Sequence, residues 1–268
     1  MKLGIFSGRY KAISYKISGR GKHLIIVFPR AGVPRFESYG KLIERISKFG
    51  AVLFLRSGYF GIGEIDSDNI ALMIDDFSKL LHELVIKLGC KKVSLIGESV
   101  GAIHALNYAG RYPKETEFIL LSNPAFYRPR LIYSLILIPF LNIAIKTSPD
   151  FFLKVFGNIL KFLPHKDLKD LGGVFIRMKK IIGARSYLFS LKEIVNFSKR
   201  YQSIFYREIL NRPFILCGSN DKVFRLFCDT SFCRNNSHFI EIPSAGHGII
   251  DNRPEEVSRV LDIFLPKS

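Results

Sequence analysis

Tryptophan is absent from the 268 residues, methionine occurs three times and cysteine four times. Cys90, Cys217, Cys228 and Cys233 form no CxxC pair and no dense framework, which excludes a disulfide-stapled fold and suits free buried thiols in a reducing compartment. Cys228 and Cys233 with His238 lack a fourth ligand and a zinc-type spacing, so no metal and no organic cofactor is expected. The amino terminus, MKLGIFSGRYKAISYK, has neither a long apolar segment nor a small-residue cleavage site, so no secretory signal is expected and a cytoplasmic protein is. Long hydrophobic runs are scarce as well. LIYSLILIPFLNIAI, residues 131 to 145, is too short to span a bilayer and is interrupted by Pro139 and Asn142. It reads as a helix lining an apolar pocket. Flanking Arg128, Arg130 and Lys146 keep open a second reading, a helix lying in a membrane surface.

Acidic residues are outnumbered, 23 Asp and Glu against 40 Lys and Arg, giving a net charge of +17. The excess is uneven: residues 127 to 208 hold 15 Lys or Arg and 5 Asp or Glu. Such a surface attracts phosphate-bearing partners, here an anionic lipid surface or an acidic acyl carrier, or it is simply a solvated face. No nucleic-acid-binding motif accompanies the charge, so nucleic acid is not expected as a partner.

What is present is a large apolar fraction, 48%, arranged in alternating strand and helix patterns. Buried strands are expected at 23–28, 51–55, 92–96, 117–121, 214–217 and 238–242, with an antiparallel edge at 12–18. Helices are expected at 39–49, 68–88, 101–111 and 254–264. This alternation predicts an α/β fold: a mostly parallel central sheet with helices on both faces and right-handed crossovers. Helical spacing at 151–163, 173–182 and 187–206 predicts a helical insertion. The expected division is a core of 1–126 and 209–268 carrying a helical cap at 127–208.

Ligands of such a sheet bind beyond the carboxyl ends of the strands. VSLIGESVGAIH places Ser99 on a strand-to-helix turn between Gly97 and Gly101. Glycines there permit a sharp bend that presents the hydroxyl. GSNDKVF places Asp221 after the next-to-last strand and PSAGHGI places His247 after the last. A serine hydroxyl is a weak nucleophile that needs an adjacent base, and the base needs an orienting group. Each residue also has a plainer reading: Ser99 as a turn residue, Asp221 as the N-cap of a helix near Val223, His247 as a loop residue.

These pieces, with the opening YKISGRGKHLIIVFP and the elbow-and-helix segment GESVGAIHALNYAGRYP, resemble the α/β-hydrolase family of capped serine hydrolases over nearly the whole chain. The resemblance implies Ser99 as nucleophile, His247 as general base and acid, and Asp221 as the carboxylate that fixes the imidazole. It also implies an oxyanion hole, for which the backbone amides of Val100 and Ala31 are the candidates, since Pro29 has none. Relatives usually carry His-Gly where this chain has Pro29-Arg30-Ala31-Gly32. Arg30 is therefore a candidate to bind a substrate carboxylate or phosphate, or else it points to solvent. Arg56 and Ser57 stand where the family more often has an acid and an arginine. The implied activity is cleavage of an ester or thioester of an apolar acyl group through an acyl-enzyme. The alternatives are a non-catalytic ligand receptor on the same fold, and a carbon–carbon bond hydrolase or lyase using the same three residues.

Overall fold

HLIIVF, AVLFL and KVSLIGE are aliphatic runs without a polar face, and they form the inner strands β3 (His23–Phe28), β4 (Ala51–Leu55) and β5 (Lys92–Glu98) of a sheet covered on both sides. The structure, a computed structural model, describes residues 2–7, 12–30, 36–55, 74–124, 131–162, 164, 166–185, 187–188, 191–192, 213–223 and 238–265. Around these three strands lie β1 (Lys2–Ser7), β2 (Ala12–Ser18), β6 (Thr116–Ser122), β7 (Phe214–Gly218) and β8 (Phe239–Ile242). Among the described residues the order across the sheet is β1-β2-β4-β3-β5-β6-β7-β8. Pairing is parallel from β4 to β8, while β1 and β2 are antiparallel.

The expected edge at 12–18 is present but is not the outermost strand, because β1 lies beyond it. KLGIFS gives a weak signal: its Leu3 and Ile5 are exposed, so no buried face marks the strand in the sequence.

Alternate residues of the inner strands feed two cores. Ile26, Leu53 and Leu95 face helices α2 (Ile74–Lys87) and α3 (Gly101–Arg111). Ile25, Val52 and Ile96 face α1 (Gly40–Ile46), which follows a 3-10 turn at Phe36–Tyr39. Three further helices, α4 (Leu131–Lys146), α5 (Pro149–Phe162) and α6 (Lys166–Ile182), lie between β6 and β7. Pro139 lies inside α4, so the apolar run forms one helix. α5 and α6 meet at glycines, a Cβ on Gly172 falling 2.6 Å from the Gly157 carbonyl oxygen. The chain closes with α7 (Ile249–Asn252) and α8 (Pro254–Phe264), which complete the second core with Ile249, Val257 and Leu261.

Several expectations fall outside the described residues. They are Ala31, the glycine-rich turn with Arg56 and Ser57, Arg128 and Arg130, Cys228 and Cys233, and most of the helix expected at 187–206. The Cys90 and Cys217 thiols are buried and form no disulfide. Among the described residues no group of His, Cys, Asp and Glu is arranged to hold a metal, and no helix is long and apolar enough to cross a membrane.

Candidate active site

β5 and α3 are joined by a turn that almost no other sequence could make. A Cβ on Gly97 would sit 2.6 Å from the Cα of Ala102, and one on Gly101 would sit 2.2 Å from the carbonyl oxygen of Phe28 in β3. Both are backbone collisions. With glycines at these positions α3 packs directly on the sheet, and the residue between them is forced to φ 54, a left-handed conformation unusual for serine. Its backbone is tied to the neighbouring strand through Ser99 N–H donating to Ser122 O at 2.9 Å.

Ser99 Oγ lies 2.9 Å from His247 Nε2, and His247 Nδ1 lies 2.8 Å from Asp221 Oδ2. A carboxylate only accepts, so Nδ1 carries the proton and Nε2 is left to accept from the serine hydroxyl. Asp221 is fully buried and sits just past β7 on a turn closed by its own N–H to Gly218 O at 3.0 Å. The histidine loop packs against that turn. A Cβ on Gly218 would come within 2.2 Å of Ala245 O, so this glycine too permits a close backbone approach.

Burial alone would lower the His247 pKa, but the charge of Asp221, its hydrogen bond and the more distant charge of Glu98 outweigh it, and the net shift is upward. The imidazolium is thus favoured where a proton would arrive from Ser99. Val100, the N-cap of α3, offers an amide that the helix itself does not use. Its side chain joins Ile103 and residues of the inserted helices, among them Leu141, Leu153 and Phe175, in one apolar cluster. The surroundings of Ser99 on the insertion side are therefore greasy, and Ser99 itself is buried.

The Arg30 side chain, partly exposed, pairs with carboxylates of the protein itself. Its Nη2 donates to Asp251 Oδ2 at 2.6 Å, and its Nε lies 3.8 Å from Glu98 Oε2. The guanidinium is thus held by two of the protein's own carboxylates. Glu98, the residue before Ser99, is fully buried; it accepts from the Tyr39 hydroxyl and from Ile250 N–H, the latter at 3.3 Å. Burial pushes the Glu98 carboxyl up, against the pull of Arg30 and the Tyr39 hydroxyl, and burial likewise pushes the Tyr39 hydroxyl well up. The Tyr39 hydroxyl also accepts from Arg30 N–H at 3.1 Å. Through Arg30, Glu98 and Asp251 the end of β3, the elbow and α7 are joined around the buried Glu98 carboxylate.

Asn123 was also not singled out in the sequence. Its Nδ2 donates to His247 O at 2.6 Å and Gly246 O at 3.1 Å, while its Oδ1 accepts from Gly218 N–H at 2.9 Å. One side chain thus links the ends of β6 and β7 to the histidine loop. The available signal was an asparagine directly after a buried strand in an α/β pattern, a position where φ, here 42, is tolerated by Asn. For Glu98 the signal was a carboxylate ending an aliphatic strand, which cannot stay buried without a cation or donors such as Arg30. Of the other histidines, His104 is buried with its pKa pushed down to about 3 by burial, and His23 lies 3.2 Å from Glu117.

The family model for serine aminopeptidase, S33, of the Hydrolase_4 type matches residues 58–169. No curated protein matches the sequence significantly. Solved structures match along its whole length. A thermophilic esterase from Thermogutta terrifontis shares 16% identity over 99% of this chain and 98% of its own, with a TM-score of 0.64. Carboxylesterase structure from the thaumarchaeon Nitrososphaera gargenis is similar at 19% identity over 98% and 97%, TM-score 0.61. A meta-cleavage product hydrolase is similar at 16% identity over 100% and 98%, TM-score 0.65. At these identities the likeness is one of fold, and the parallel sheet with its antiparallel edge has the α/β-hydrolase fold.

Proposed function

We propose that the protein is a serine hydrolase that cleaves the ester or thioester of an apolar acyl group through an acyl-enzyme intermediate. The observation that carries this reading is the linear array Asp221 Oδ2, His247 Nδ1, His247 Nε2, Ser99 Oγ, with gaps of 2.8 and 2.9 Å. In this reading His247 Nε2 takes the hydroxyl proton as Ser99 Oγ attacks the carbonyl carbon. The resulting oxyanion is met by the Val100 amide and, as the second donor, by that of Ala31. Collapse expels the alcohol or thiol, which takes the proton from His247. A water then attacks the acyl-enzyme with His247 again as base, releasing the acid and restoring Ser99.

The apolar acyl preference rests on the cluster around Val100 and Ile103, built from the inserted helices. We assign residues 127–208 as the cap over that side and 1–126 with 209–268 as the core. A cytoplasmic location is proposed on Cys90 and Cys217, whose thiols form no disulfide. Arg30 is assigned to hold the site together instead of to bind substrate, because its charge is already matched.

The test is labelling with a fluorophosphonate together with turnover of p-nitrophenyl esters and acyl thioesters of increasing chain length. Wild type should label, and Ser99→Ala and His247→Ala should each lose about 10⁴ to 10⁶ in kcat, acting as a unit. Tight binding of a small ligand by wild type that resists the probe would establish a receptor. Turnover of carbon–carbon substrates with inert esters would establish the lyase-type alternative.

A further inference from the structure

Helix α5 is apolar on two opposite sides, and only one of them is used. Its inner side buries Leu153, Gly157 and Leu160, with Gly157 against the backbone of α6 at Gly172. The other side carries Phe151, Val155, Ile159 and Phe162, spaced i, i+4, i+8 and i+11 on one stripe about 16 Å long. Phe151 is 61%, Ile159 52% and Phe162 88% exposed. Beside this stripe, two turns apart from one another on the polar flank, Lys154 and Lys161 are exposed as well. A helix of a globular protein rarely leaves two phenylalanines and an isoleucine in water on one line.

We propose that this face of α5 docks on an anionic lipid surface, its phenylalanines entering the headgroup boundary while Lys154 and Lys161 meet lipid phosphates. Charge decides the occupant. A second copy of the chain would set the lysines of one α5 beside those of the other, on molecules that each carry a net charge of +17. An anionic bilayer satisfies the apolar stripe and the lysines together. An acidic carrier protein would be drawn by the charge but has no need of exposed phenyl rings. The sequence left open a second reading of the run 131–145, as a helix lying in a membrane surface. The described half of α4 instead buries Leu141 and Ala144 in the cluster beside Val100. The docking face is thus on the neighbouring helix.

The inference does not depend on the proposed chemistry, and lipid binding is measured without turnover. Sedimentation with vesicles of phosphatidylcholine containing about one-third phosphatidylglycerol should carry down wild type and Ser99→Ala alike, with weaker binding to phosphatidylcholine alone. Phe151→Ser with Phe162→Ser should weaken binding about tenfold or more, and Lys154→Gln with Lys161→Gln by a similar factor. These four side chains are exposed, so unchanged circular dichroism and Tm should show that the variants fold. Because the chain has no tryptophan, Phe162→Trp places a single indole on the stripe, and its emission should shift to the blue on adding the anionic vesicles. Absence of binding, binding unaltered by the serine pair, or an unshifted indole overturns the proposal. So does a dimer in light scattering that Phe162→Ser dissolves, or capture by an acidic acyl carrier protein without binding to vesicles.

Discussion

Helix α3, behind the elbow, and helix α5, in the insertion, are both rich in apolar residues and are used in different ways. In α3 nine of the eleven residues are buried, and Gly101 has a neighbour's backbone against it; in α5 three of fourteen are buried. α3 is specified from all sides by the sheet, α2 and the strand ahead of it. α5 is specified on its inner side, by α6 and α4, and leaves the opposite side exposed. The helix behind Ser99 is determined by the interior of the molecule, whereas α5 leaves large apolar side chains exposed.

That contrast can be broken most severely at a glycine of the elbow. Gly101→Ala drives a methyl group into the Phe28 carbonyl, where nothing can move without shifting β3, and we expect about 3 kcal/mol or more of lost stability in urea unfolding. A loss under about 1 kcal/mol would show that α3 is held more loosely than the distances imply.

Next in size is the buried charge cluster. Arg30→Ala leaves Glu98 and Asp251 without their cation, and Glu98 is fully buried. Breaking such a pair from one side costs about 3 to 5 kcal/mol when it is fully buried, and less here because Arg30 keeps some contact with water. Arg30→Ala with Glu98→Gln should recover part of the loss, since a neutral amide can remain hydrogen bonded to Tyr39.

Smaller still is a shift in pH dependence. His247 must be neutral to act as base, and its pKa is raised above the ordinary 6.5, so kcat/KM should rise with pH through an apparent pKa above that value. Asp221→Asn should move the midpoint down, and Glu98→Gln should move it down by less, following the order of their effects. Stability carries the opposite sign at two histidines. The raised pKa of His247 adds stability below the unfolded value and loses it as pH rises through the folded one. His104, with its pKa pushed to about 3, instead makes the fold weaken as pH falls below 6.5 toward 3, and His104→Gln should reduce that slope.

The smallest effect belongs to the insertion. Gly173 in α6 has open space where a Cβ would go, so Gly173→Ala should raise stability by about 0.5 to 1 kcal/mol through helix propensity. The same substitution thus has opposite signs in the two regions, and thermal unfolding of both variants tests it.

Legibility followed the same division. The strands with aliphatic runs, the elbow glycines and the order Ser99, Asp221, His247 could be read because local composition and spacing carry them. β1 could not, since an edge strand with both faces partly in water leaves no apolar periodicity. The cluster of Arg30, Tyr39, Glu98 and Asp251 was hidden for another reason. Its members come from four separate segments, and Arg30 and Asp251 are 221 positions apart. A lone arginine beside a proline says nothing of which carboxylate will face it. α5 was legible as a helix, but which of its two apolar sides would be covered depends on where α6 places Gly172.

The long reach of the serine–histidine contact bears on how the chain is made. Ser99 and His247 are 148 residues apart, and Asp221 precedes His247 by 26. At typical rates of synthesis, about 5 to 20 residues per second, roughly 7 to 30 s separate the emergence of Ser99 from that of His247. Throughout that interval the chain holds Ser99 without His247, the imidazole whose Nε2 lies 2.9 Å from its Oγ once folded. Asn123, waiting at the end of β6 for the carbonyls of Gly246 and His247, is what the last loop finds when it arrives. Chains truncated before that loop carry the turn without His247, so the three side chains meet only in chains completed through His247.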